Sequence, residues 1–162
     1  MNKFRLPEFW RLILSIGMCQ FAGIIGSLFT TPQIPTWYAS LQKPGFNPPN
    51  WIFGPVWITL YTLMGVAMFL VWRQYARSAH AKSAIETFVV QLLLNILWSV
   101  VFFGLKSPLG GLVIILLLWI AILATIIRFQ KVSEIASFLL IPYILWVTFA
   151  ALLNFAIFRL NP

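Results

Sequence analysis

The chain is poor in acid. It has 3 carboxylates against 11 Lys and Arg, one His and one Cys in 162 residues, and only 9% of it is charged. Soluble domains run to about 25% charged and 45–50% apolar, whereas this one is 61% hydrophobic with a mean hydropathy of +0.93. A water-facing surface needs Lys, Glu, Arg and Asp in numbers this chain does not have. Lipid must therefore serve as its outer solvent. The lone Cys19 cannot form an internal disulfide and has no neighbouring base to make it a nucleophile, so it reads as packing. One His and one Cys far apart in sequence do not supply the clustered ligands of a metal or haem-iron site, and no metal centre is expected. The net charge of +8 does not point to nucleic acid, because the basic residues sit beside apolar runs, where they orient membrane helices.

What is present is apolar sequence in five uncharged stretches: 12–29, 51–72, 87–105, 109–127 and 135–158. Each approaches the ~20 residues that span ~30 Å of hydrocarbon. The expected fold is an all-α membrane protein, a single five-helix transmembrane domain. The first stretch follows Lys3, Arg5 and Arg11 but has no cleavage site of small residues, and it is expected to be retained. Short connections make successive helices antiparallel. Lys3, Arg5, Arg11, Arg73, Arg77, Lys82, Arg128 and Lys131 then fall on one side and Lys43, Lys106 and Arg159 on the other. This eight-to-three asymmetry predicts a cytoplasmic N-terminus, in a bacterial cell membrane.

No Asp, Glu, Lys, Arg or His lies inside the five stretches. Ion-coupled carriers hold one at membrane depth at a cost of at least ~2.5 kcal/mol, so a pump or antiporter is disfavoured. An odd number of spans is also not what an inverted repeat gives.

Aromatic residues make up 17% of the chain, with eight Trp, and several recur at helical spacing. Trp57, Tyr61, Met64 and Met68 lie on one face of the second stretch; Gln91, Asn95, Trp98 and Phe102 repeat that spacing in the third; Tyr143, Trp146, Ala150 and Asn154 follow in the fifth. The plain interpretation is interhelical glue and ordinary packing. The sharper one is an apolar cavity with a few oriented amides and room left by Ala150, suited to a flat aromatic ligand. The loop after the first stretch is rich in Pro, which forbids continuous helix. Its Trp37, Tyr38, Phe46 and Trp51 are costly to leave in water, so it is expected to fold as a lid, with Lys43 available to an acidic ligand group.

Three patterns, WYxxLxKPxFxPPxWxFxPVWxxLYxxMG from Trp37 to Gly65, QLxxNxxWSxxFFG from Gln91 to Gly104 and PYxxWxxFAxxLN from Pro142 to Asn154, resemble the TspO/MBR family of tryptophan-rich sensory and translocator proteins, also called peripheral-type benzodiazepine receptors. The likeness runs over nearly the whole chain. It implies a homodimer of five-helix bundles with a ligand cavity closed by the first loop. It also implies binding of porphyrins (protoporphyrin IX, haem) and of benzodiazepine-site drugs, with no obligatory cofactor. Carried over by motif, the ligand site is Tyr38, Trp51, Trp57, Tyr61, Asn95, Trp98, Trp146, Ala150 and Asn154. A light-dependent breakdown of protoporphyrin IX, associated with a bacterial member, would use Trp57 and Trp146. The family's sterol pattern needs a Tyr near the end of the last helix, where this chain has Phe155 and Phe158, and Val71, Tyr75 and Arg77 match it only at another span end. The expected partners are a tetrapyrrole or other lipophile, membrane lipid and a second copy of the chain, with no nucleic acid. Receptor or sensor is the leading role, and photochemical degradation or passive transport of lipophiles are the alternatives.

Overall fold

A computed structural model describes residues 7–161, and Lys3 and Arg5 of the charge count lie outside them. Among the described residues the only regular secondary structure is helical: α1 (Glu8–Thr30), a short α2 (Trp37–Ser40), α3 (Phe53–Trp72), α4 (Ala81–Ser99), α5 (Pro108–Gln130), α6 (Glu134–Phe138) and α7 (Ile141–Leu160). Single 3₁₀ turns extend α1 and precede α3, giving five runs long and apolar enough to cross a membrane.

The third span starts at Ala81, six residues before the sequence-based boundary, because its first turns carry Lys82 and Glu86. These two pair at 3.9 Å one turn apart, so polar sequence that a hydropathy reading assigns to the loop is already helix. Arg128 likewise belongs to α5 and reaches back to Ser83 O (3.1 Å) and the Thr87 hydroxyl of α4. The fifth stretch is two helices. Pro142, with no N–H to give to the preceding turn, sits in the first turn of α7, and the chain turns at Leu139–Leu140 between α6 and α7. Ser133 caps α6 by accepting from Ala136 N. The Lys106–Ser107–Pro108 connection is tight: Lys106 takes a left-handed φ of 54°, Ser107 accepts from Gly110 N, and Pro108 opens α5.

The bundle presents apolar side chains outward, Phe21 and Leu28 on α1 and Val113, Leu116 and Ile120 on α5 among them, as a lipid-facing surface requires. Its interior is built around Met64, Phe88, Ile115, Leu118, Phe129 and Tyr143. At Gly65 the backbones of α1 and α3 come close enough that a Cβ would meet Ile16 Cα at 2.5 Å. Small residues drive such contacts in lipid, where apolar burial alone gives little.

α4 does not end as an α-helix. Val100–Gly104 widens into a π turn, with Leu105 N donating to Val100 O at 2.9 Å. The wider turn lets two consecutive side chains, Phe102 and Phe103, both face inward. Such turns recur at functional sites.

Candidate functional site

Polar side chains, few as they are, tie the helices together at one level of the bundle. Tyr61 of α3 donates to Asn95 Oδ1 of α4 at 2.5 Å, Asn95 Nδ2 donates to the Tyr143 hydroxyl of α7 at 3.0 Å, and Tyr143 donates to Gln91 Oε1 at 2.9 Å. The chain of bonds ties the three helices in register and ends at Gln91, whose Nε2 is buried with no partner. Nearer the lid, Trp98 Nε1 donates to Asn154 Oδ1 at 3.2 Å, and Asn154 Nδ2 donates to Pro108 O at 2.8 Å, joining α4, α7 and the start of α5. Gln20 of α1 donates to Ile58 O and to the Thr62 hydroxyl of α3, each at 3.0 Å.

Above these bonds the helices part around a cavity of about 510 Å³, inside the ~300–1,000 Å³ range of small-molecule sites. Tyr38, Trp51, Trp57, Tyr61, Asn95, Trp98, Ala150 and Asn154 line it. Trp57 stacks on Tyr61 with ring centroids 5.4 Å apart, and Trp98 stacks on Phe102 at 5.5 Å. The wall is thus made of indole and phenyl faces with amides between them. Trp146, the remaining sequence-based site residue, is not part of the wall. At 100° per residue it sits about 60° round α7 from Tyr143, and its ring packs edge-on against Phe53 at 5.9 Å and tilted against Phe149 at 5.5 Å. Phe53 itself lines the cavity, so Trp146 stands behind it.

The sequence reading missed one whole wall. Gln20, Gly23, Gly26, Ser27 and Thr30 of α1 line the cavity. Small and polar residues at offsets 0, 3, 6, 7 and 10 are a helix-face signal, but they carry no aromatic to draw attention. A Cβ on Gly23 would collide with the Tyr61 ring, so the glycine is what lets that ring lie flat beside α1. Ile24 and Ile58 are 57% and 61% exposed, and Trp51 is 74% exposed. The cavity is therefore open at its side between α1 and α3, towards lipid, with Trp51 at the rim.

The Pro-rich loop closes the end. Tyr38 is buried, with its ring 5.7 Å from Phe103, and Trp37 meets Phe102 edge-on at 5.5 Å. The π turn of α4 thus supplies the seat for the lid. The Tyr38 hydroxyl donates to Asn47 Oδ1 at 2.9 Å, and burial pushes its pKa up to about 12. The loop is pinned to the end of α7 by a reciprocal pair, Gln42 N to Asn161 Oδ1 at 3.0 Å and Asn161 Nδ2 to Gln42 O at 2.9 Å. Lys43 is not held towards the cavity. Its ammonium lies 4.7 Å over the Tyr38 ring and donates to Leu41 O at 3.1 Å, so it stiffens the loop.

None of the described residues lining the cavity is charged, and His, Cys and Met are absent from the wall. The two phenols there are engaged with Asn95 and Asn47. Such a wall can hold a planar ring system only by its faces and edges. Any carboxylates it carries must project through the open side or past the lid, since burying an unpaired charge in such a wall is prohibitive.

A TspO/MBR family profile matches residues 15–160. Among curated proteins the chain is 46% identical to the tryptophan-rich protein TspO of Chlorobaculum tepidum over 100% of both chains. It is 39% identical to the human translocator protein over 85% of this chain and 82% of that one. With the tryptophan-rich sensory protein of Cereibacter sphaeroides it shares 35% identity over 94% of this chain and 92% of the relative.

Proposed function

The chain belongs to the TspO/MBR family, a membership that supports a membrane sensor or receptor role, and from that premise we propose that it binds porphyrins, protoporphyrin IX or haem, and benzodiazepine-site drugs in the aromatic cavity. The observation that carries this reading is the wall itself: stacked Trp57–Tyr61 and Trp98–Phe102 pairs, separated by Asn95 and Asn154, around about 510 Å³. A flat, largely apolar ligand gains ring-face contact on several sides. The amides and the Trp98 N–H fix orientation without demanding charge. Haem would be held in the same way, its iron gaining no histidine, thiolate or thioether from this wall.

The proposal includes a homodimer, and it places in the cytoplasm the end of the bundle that carries Arg11, Arg73, Arg77, Lys82, Arg128 and Lys131. The open side between α1 and α3 admits a lipophile directly from the bilayer, so no polar channel is needed. Light-dependent degradation of protoporphyrin IX is the second reading. Trp57 at the wall favours it, and Trp146, shielded by Phe53, would act only by electron transfer across that ring.

Titration of protoporphyrin IX into purified protein, followed by the shift of porphyrin absorbance, tests the assignment. Trp57→Ala and Trp98→Ala should each weaken binding about tenfold, which corresponds to about 1.4 kcal/mol. Trp146→Ala should weaken it less. Unchanged affinity in both wall variants would remove the cavity from the account.

A further inference from the structure

The opposite end of the bundle holds a second hollow, of about 420 Å³, that ligand binding in the aromatic cavity does not use. The start of α1 and the turns after α3 enclose it, and its wall includes Arg11, Trp72, Arg73, Gln74, Tyr75 and Arg77. Three arginines therefore border one small volume. Glu8 also borders it but makes no ion pair with them, the one ion pair among the described residues being Lys82–Glu86, so the lining keeps an excess of two positive charges. Arg11 is the informative member. Its guanidinium carbon lies 5.8 Å from the Trp72 ring centroid, while its Nε is buried with no hydrogen-bond partner. A buried charged donor left unpaired is costly, and the usual resolution is an anion that the protein expects to find there.

The surroundings say which anion. On α1 beside Arg11, Phe9 and Trp10 are 66% and 53% exposed, and Ile13 and Leu14 continue that apolar surface deeper along the helix. Aromatic side chains at the end of an apolar span mark headgroup depth. A phosphate in the hollow would thus have acyl chains running down the outside of α1, which a free soluble anion lacks.

We propose that this basin, with Arg11 at its floor and Arg73 and Arg77 at its rim, is a binding site for the phosphate diester of an anionic membrane lipid. A phosphatidylglycerol-type headgroup has the required chemistry: two phosphate oxygens for the arginine forks and hydroxyls for Gln74. The site is independent of the ligand bound in the aromatic cavity.

Native mass spectrometry of the full chain, released from detergent containing equimolar phosphatidylglycerol and phosphatidylcholine, reads the occupancy of each lipid. The wild type should retain phosphatidylglycerol at least about fivefold more strongly, and Arg11→Gln should lose about fivefold, in line with the strength of one basic residue at an anionic leaflet. The pair Lys82→Gln and Lys131→Gln removes charge from the same face outside the basin and should leave retention unchanged. Inorganic phosphate at millimolar concentration should not displace the lipid. Equal retention of the two lipids by the wild type, which depends on no variant, would overturn the proposal. So would an equal loss in the Lys pair, or displacement by inorganic phosphate.

Discussion

Asn95 is the joint of the buried hydrogen-bond chain, and replacing it gives a worked test of what holds the cavity's walls in place. Asn95→Leu keeps the volume close and the helix propensity favourable. It deletes two interhelical bonds, the 2.5 Å bond from Tyr61 and the 3.0 Å bond to Tyr143. Interhelical bonds in membranes average about 0.6 kcal/mol and reach about 1.7, so two of them set a loss of about 1–3 kcal/mol. The upper half of that range applies, because Tyr61 is only 7% exposed and its hydroxyl is left unpaired. Tyr143 loses less, since it still donates to Gln91 at 2.9 Å. Tyr61→Phe alone should cost about 0.6–1.7 kcal/mol, and the double variant should cost no more than Asn95→Leu, because the stranded hydroxyl is gone as well. Reversible unfolding in mixed micelles containing dodecyl sulfate, followed by helicity, measures all three. An Asn95→Leu variant within about 0.3 kcal/mol of wild type would refute the reasoning, as would strictly additive single effects.

Gly65→Ala places a Cβ 2.5 Å from Ile16 Cα, a backbone atom that cannot step aside, so α1 must move off α3. A loss of about 1–3 kcal/mol is expected in the same unfolding assay, and a variant as stable as wild type would contradict the close helix contact. The lid should be indifferent to pH until strongly alkaline conditions. Burial raises the Tyr38 phenol from 10.0 to about 12, so the unfolded loop gives up its proton first and stability falls as pH climbs between these values. Protease nicking of the loop should stay flat from pH 7 to 9 and rise above about 10, whereas in Tyr38→Phe that alkaline rise should vanish.

Much of the bundle can be read from the chain because the lipid imposes it: uncharged runs of sufficient length have few alternatives to spanning helices. Their ends are less legible. Lys82, Glu86 and Arg128 belong to helices whose first or last turns lie beyond the apolar runs, and hydropathy cannot tell a solvated helical turn from a loop. Pro142 signals the start of α7, but its presence in an unbroken apolar run hides the break before it. The aromatic stripes locate most of the cavity because each is a run of chemically distinctive side chains on one face. Spacing alone is too coarse to separate Ala150, which lines the hollow, from Trp146, which is turned onto Phe53. The α1 wall is the least legible part, since Gly23 and Gly26 act through side chains they do not have. The π turn that brings both Phe102 and Phe103 inward has no recognisable sequence pattern.

Ala150 borders the hollow one turn deeper than Asn154, is only 9% exposed and makes none of the hydrogen bonds that hold the helices together. Ala150→Leu therefore fills ligand space while leaving the bond chain intact. Measured by titration beside a thermal melt, it should weaken protoporphyrin IX binding at least about tenfold with the melting temperature close to wild type. Wild-type affinity in a fully folded Ala150→Leu protein would place the ligand elsewhere and contradict the account.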